Sequence, residues 1–172
     1  MRRWLFPLLF GLVLAAIAWQ AALVVAPRVL MAAAVRRVEA LGGVNVLRPA
    51  PMATARYRTI VRPSPDLAYS SCLFDLSGGP VLIAVAPVPA PYWSLSVFDA
   101  RTDVAFVRNN RDTGGRPIRI ALARPGQSVP AGIETVRIGG NRGIALIRIL
   151  VESRALFPAI DRARRASLCR RI

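Results

Sequence analysis

Histidine and lysine are both absent from this 172-residue chain. Without histidine the commonest general base and the commonest metal ligand are missing. A Ser-His-Asp or Cys-His catalytic group cannot be assembled from these residues. The two cysteines, Cys72 and Cys169, are too few for a structural zinc site. No metal and no cofactor is therefore expected. Acidic residues are also scarce, nine against 24 cationic side chains, all of them arginine, for a net charge of +15. A cationic set with no lysine reads first as the mark of a GC-rich coding bias on a solvated surface. The sharper reading is attraction to anionic lipid headgroups. No helix-turn-helix, zinc-finger or RNA-binding signature is present, so nucleic acid is not an expected partner.

What the chain has in abundance is apolar residues, 54% of the total, concentrated at the N-terminus. Arg2 and Arg3 precede an uncharged run from Trp4 to Ala26, in which Gln20 is the one strongly polar side chain. At 1.5 Å per residue this run spans the ~30 Å hydrocarbon core of a bilayer. It reads as an uncleaved transmembrane anchor over residues 1–27. The competing reading is a signal peptide cut after Ala16-Ile17-Ala18, but the apolar run continues well past that point. Arginines flank both sides of the span. Arg2 and Arg3 lie closest to it and favour a cytoplasmic N-terminus, with the rest of the chain in a periplasm. Residues 28–41 show helical spacing stopped by Gly42-Gly43, a helix that either continues the anchor or lies at the membrane surface, and residues 44–55, with Pro49 and Pro51, read as a linker. Together residues 28–56 form an expected juxtamembrane helix and lead-in.

From Tyr57 the pattern becomes short β-type runs separated by turn residues. The expected strands are Tyr57–Val61, Tyr69–Leu76, Val81–Ala86, Trp93–Phe98, Val104–Arg108 and Ile118–Leu122. A hairpin follows, formed by Thr135–Ile138 and Gly143–Val151 around Gly139-Gly140-Asn141. Residues from Glu152 to about Cys169 read as a C-terminal helix with Leu156, Ile160, Ala163 and Ser167 on one side. The expected fold is mainly β (α+β): an antiparallel β-sandwich or jelly-roll-like domain over residues 57–172, with an N-terminal transmembrane helix and a C-terminal helix.

The stretch Phe74-Asp75-Leu76-Ser77-Gly78-Gly79-Pro80-Val81 is followed by Tyr92-Trp93-Ser94-Leu95 and by Val97-Phe98-Asp99-Ala100-Arg101-Thr102-Asp103. Together they resemble the domain of unknown function 1254 family over roughly residues 57–125. Asp66-Leu67-Ala68-Tyr69-Ser70 is similar to that family's Asp-x-Leu-Tyr-Ser element, although Ser64-Pro65 stands where an Asn-Arg pair is usual. The resemblance implies a β-sandwich-like fold and no established activity. It also implies a possible companion, a protein carrying the domain of unknown function 1214, which this chain is too short to contain.

The ligand-binding candidates are Arg62, Asp66 and Tyr69 on a proline-braced loop, Tyr92 and Trp93 as a stacking platform, and Asp99 and Asp103 at strand ends beside Asp112. Each has a structural alternative: a loop clamp, core packing, turn capping. Paired carboxylates at a set separation would support glycoside-type hydrolysis, so a carboxylate- and Tyr-based hydrolase of the cell envelope is the alternative function. The leading expectation is a membrane-anchored extracytoplasmic accessory or binding module. Its expected partners are the cytoplasmic membrane, anionic headgroups or another envelope protein. Gly139-Gly140-Asn141-Arg142-Gly143 lacks the ending of a phosphate loop and is read as a turn. Cys72 and Cys169, the one available pair, are expected to form a disulfide in an oxidising compartment.

Overall fold

A computed structural model of the chain describes residues 2–54 and 63–172. Helix α1 spans Arg2–Gly42 and is followed by β1 (Leu47–Pro49), β2 (Leu67–Asp75), β3 (Val81–Val85), β4 (Trp93–Phe98) and β5 (Val104–Asn109). Then come β6 (Ile118–Ala123), β7 (Glu134–Arg137), β8 (Arg142–Leu150), α2 (Phe157–Arg164) and β9 (Leu168–Arg171). The expected strand Tyr57–Val61 and the candidate Arg62 lie outside the described residues.

The strands form two stacked sheets, one ordered β1-β2-β8-β4-β5 and the other β7-β6-β3-β9. Pairing is antiparallel except for β6 and β7, which run parallel. Alternation along each strand supplies the core. Phe74, Trp93, Leu95 and Ile147 point inward from the five-stranded sheet and meet Ile83, Ile120 and Leu122 from the other, all fully or almost fully buried. This is the expected sandwich, with nine strands among the described residues.

Three local expectations are corrected. Residues 47–49 are a strand, not part of a linker: β1 pairs with β2 as an edge, where Pro49 costs no interior ladder bond. The Gly139–Asn141 turn does not close a hairpin. β7 belongs to one sheet and β8 to the other, so the turn carries the chain between layers. Gly143 then passes so close to β4 that an added Cβ would lie 2.2 Å from the Phe98 carbonyl oxygen. The C-terminal helix is shorter than expected. It ends at Arg164, and residues 168–171 turn back as β9 to pair with β3.

The expected disulfide is present. Cys72 of β2 and Cys169 of β9 are joined with their Cα atoms 6.4 Å apart, linking the two sheets. On the opposite side of the sandwich Arg108 of β5 grips Glu134 of β7 with two hydrogen bonds, 2.6 and 2.8 Å long. This pair holds Glu134 below its ordinary carboxylate value. At the disulfide side α2 is tied in by Arg164, 1% exposed. Its guanidinium donates to the carbonyls of Tyr69 at 2.7 Å and Ala50 at 2.8 Å and to Asp161 at 2.7 Å.

Helix α1 does not stop at Pro27 but runs unbroken for 41 residues. Pro27 removes one backbone donor, and Arg28 donates to the Val24 carbonyl in the same turn. The segment Arg3–Ala40 contains a helix long and apolar enough to cross a membrane, and its most apolar stretch is buried against nothing. Beyond it Met31 and Val35, one turn apart, bury themselves on Leu73 of β2, with Val38 alongside. Glu39 reaches Arg142, which also binds Asp75 at 2.7 Å. Gly43, at φ +89°, ends the helix as only glycine does readily. Asn45 then locks the exit: its amide accepts from the Asp75 N–H at 2.8 Å and donates to the Asp75 carbonyl at 3.2 Å.

Candidate functional site

The sequence candidates do not converge. Strand β8 serves as a ruler. At its C-terminal end Leu150 donates to the Tyr92 carbonyl at 2.9 Å, and Val151 to the Asp66 carbonyl at 2.8 Å. At its other end Ile144 pairs with Phe98, immediately before Asp99. Six residue steps, from Ile144 to Leu150, separate the two ends, about 20 Å at ~3.3 Å per residue. Asp66, Tyr69 and Tyr92 therefore share one end of the sheet, and Asp99 and Asp103 the other.

Most of the described candidates have local roles. Asp66 is exposed in a turn, and its N–H faces the Ser64 hydroxyl at 3.4 Å. The Tyr69 hydroxyl accepts from the Ser64 N–H at 3.0 Å, bracing the same loop. Trp93 is 1% exposed on the inward side of β4, so it packs the core and offers no stacking face. Asp99 accepts from the N–H groups of Arg101 at 2.7 Å and Asp103 at 3.1 Å. That capping supports Thr102 at φ +70° in the β4–β5 turn. Asp103 is exposed and shares Arg101 with Asp99, each 3.7 Å from its Nε. Asp112 stands at the far end of β5, accepting from the Asn109 N–H at 2.8 Å. Among the described residues no group of three or more Cys, Asp or Glu gathers as a metal set.

Sequence reasoning passed over the residues that organise this structure, Arg164, Arg142 and Asn45. Asp161 and Arg164 have the i,i+3 spacing of a helical ion pair, which was readable. Burial of the arginine was not, because it depends on β1 being a strand. Asp75 is a turn residue: it accepts from the Ser77 N–H at 2.8 Å. Burial pushes its carboxyl up, but hydrogen bonds from Ser77 and the Arg142 guanidinium outweigh that and hold it at about 2.

A concave feature among the described residues lies elsewhere, where α1 crosses the outer face of the five-stranded sheet. A cleft of about 590 Å³ opens there, inside the usual range for small-molecule sites. Leu30, Ala34 and Val38 form its helical wall, and Phe98, Ile144 and Leu146 its floor. Arg37, Ser71 and Thr102 are its polar lining. A second groove of about 390 Å³ on the other flank of α1 is lined by Arg28, Arg36, Arg101 and Arg142.

Among solved structures, the chain is similar to the VPA0106 protein from Vibrio parahaemolyticus. The two are 19% identical with a TM-score of 0.62, over 78% of this chain and 32% of that one. An uncharacterised protein from Burkholderia cenocepacia matches at 14% identity with a TM-score of 0.48, over 74% of this chain and 34% of that one. The first likeness establishes a shared fold. The chain spans about a third of the length of these solved structures. No curated protein gives a significant match. The family model for proteins of unknown function DUF1254 matches residues 44–171, from the first residues after α1 through β9. That span takes in both sheets and α2, well beyond the turn and aromatic strand that first suggested it, and the chain belongs to the DUF1254 family.

Proposed function

We propose that this protein is a membrane-tethered accessory or binding module, its sandwich held at the outer face of the cytoplasmic membrane by α1. The observation that carries the reading is the exposed apolar length of α1, which leaves the sandwich altogether before crossing residues 4–26. An apolar helix with no protein partner has a bilayer as its natural solvent. The Cys72–Cys169 bond supports an oxidising, extracytoplasmic location for the sandwich. Arg2 and Arg3 then mark the cytoplasmic end. A binding role fits better than catalysis, because Asp99 and Asp103 serve as turn clamps about 20 Å from Asp66 and Tyr69. Partners would be anionic headgroups facing the arginines around α1, or another envelope protein such as one carrying the domain of unknown function 1214.

Topology tests this directly. A reporter active only outside the cytoplasm, fused after Ile172, is expected to be active, with the fusion retained in membranes after an alkaline wash. Activity of a cytoplasm-only reporter at the same position would overturn the assignment.

A further inference from the structure

We propose that the cleft between α1 and the five-stranded sheet binds a single-chain anionic amphiphile of the long-chain fatty-acid class. The acyl chain lies along the sheet, and the carboxylate is held by Arg37. The proposal rests on α1 being the membrane tether.

The floor is the first argument. Phe98, Ile144 and Leu146 occupy outward positions on β4 and β8, where a solvated sheet face would carry polar side chains. They are only half-buried: α1 seats Met31 and Val35 on Leu73, Ile144 and Phe98 beside it in the same row pack against that cluster, and Leu146 lies further along β8. The dimensions suit one hydrocarbon chain. From Phe98 on β4, across β8, to Ser71 on β2 the cleft crosses two interstrand spacings, about 10 Å, and the wall from residue 30 to 38 runs about 12 Å along the helix. Ala33 and Ala34 keep that wall shallow.

The charge is the second argument. Arg37 lines the cleft, and among the described residues it has no hydrogen-bond or ion-pair partner; no acidic side chain lines the cleft with it. A guanidinium fork matches a carboxylate in geometry as well as sign. Position is the third. Leu30, at one end of the wall, lies one helical turn beyond the end of the apolar run. A chain leaving the bilayer reaches the floor without crossing water.

The test uses the full chain in nanodiscs of neutral phosphatidylcholine, with palmitate carrying a photoreactive diazirine on its acyl chain as the probe. Crosslinks are mapped by mass spectrometry. The expected result is labelling at Phe98, Ile144 and Leu146 that unlabelled palmitate competes away. Ala34→Phe, which fills the wall, should cut cleft labelling by at least about tenfold while labelling of residues 4–26 stays constant. Arg37→Gln, a change at an exposed side chain, should cut it several-fold. The matching diazirine alcohol, uncharged, should label the cleft as weakly as palmitate labels the Arg37→Gln chain. An intact Cys72–Cys169 bond in each variant reports that the sandwich has folded. Labelling confined to the span, cleft labelling unmoved by Ala34→Phe, or equal labelling by acid and alcohol would each overturn the proposal. Nanodiscs expose both membrane faces, so failure of the topology assignment leaves this readout unaffected and the two are told apart.

Discussion

Removing the disulfide by Cys72→Ala with Cys169→Ala gives the most quantitative test of how this sandwich is held. Both residues sit in the main core, Cys72 fully buried and Cys169 6% exposed. They are 97 positions apart in sequence. In the chain-entropy account, closing a loop of about a hundred residues restricts the unfolded chain by about 4.7 kcal/mol. A small domain loses roughly 2 kcal/mol of stability per molar urea. The urea midpoint of the double variant is therefore expected to fall by about 2 M. The full chain in detergent micelles is the sample, and tryptophan emission the probe. Trp93 moves from a dry core to water on unfolding, while Trp4 and Trp19 on the apolar part of α1 supply a constant background. Reduction of the unaltered chain should give the same shift, since the effect belongs to the link and not to the sulfur atoms. A midpoint that falls by less than about 0.5 M would refute the reasoning and mean that the unfolded chain is already constrained without the bond.

Arg164→Met should cost about 3 kcal/mol in the same urea assay, because the Tyr69 and Ala50 carbonyls and one oxygen of Asp161 lose their donor in a dry setting. Arg164→Lys should recover only part of it, since a lysine keeps the charge but not the fork. The Asp75 carboxyl, held at about 2 against an ordinary 3.8, contributes stability that is complete above the ordinary value. That contribution drains away as pH falls from 3.8 toward 2. Urea midpoints measured across that range should fall more steeply for the natural chain than for Asp75→Asn, and equal slopes would remove Asp75 from the account.

The strands were legible where alternation was clean. Trp93–Phe98 and Ile118–Ala123 carry inward apolar residues at every second position, and the sheet follows that period. Legibility failed where local signals and tertiary partners disagreed. Pro49 and Pro51 suggested an unpaired linker, yet an edge strand tolerates Pro49, and β2 supplies the partner. The stripe Leu156, Ile160, Ala163 continues helically to Ser167. The helix stops earlier because the following residues find a ladder on β3 that no local window contains. Pro27 ends the apolar run but not the helix, since apolar helices carry proline where neighbouring groups repair the backbone. The candidate residues are divided for a topological reason. Asp66 and Asp99 each lie next to an aromatic-rich strand, and only the register of β8 shows that those neighbourhoods sit at opposite ends. The cleft could not be read at all. It exists because α1 turns back at Gly43 and Asn45 and lies over a sheet face that, in sequence, belongs to β4 and β8.

The Cys72–Cys169 bond on one side and the Arg108–Glu134 grip on the other divide the sandwich into a spine and a clasp. The spine is covalent and indifferent to ions. The clasp is a half-exposed ion pair, which dissolved salt weakens. Any parting of the two layers is therefore expected to start like the covers of a book, at β5 and β7, with the bound margin beside α2 held shut. The backbone first offered to solvent, or to a visiting strand, is that of β5, where Val104 and Val107 already stand exposed.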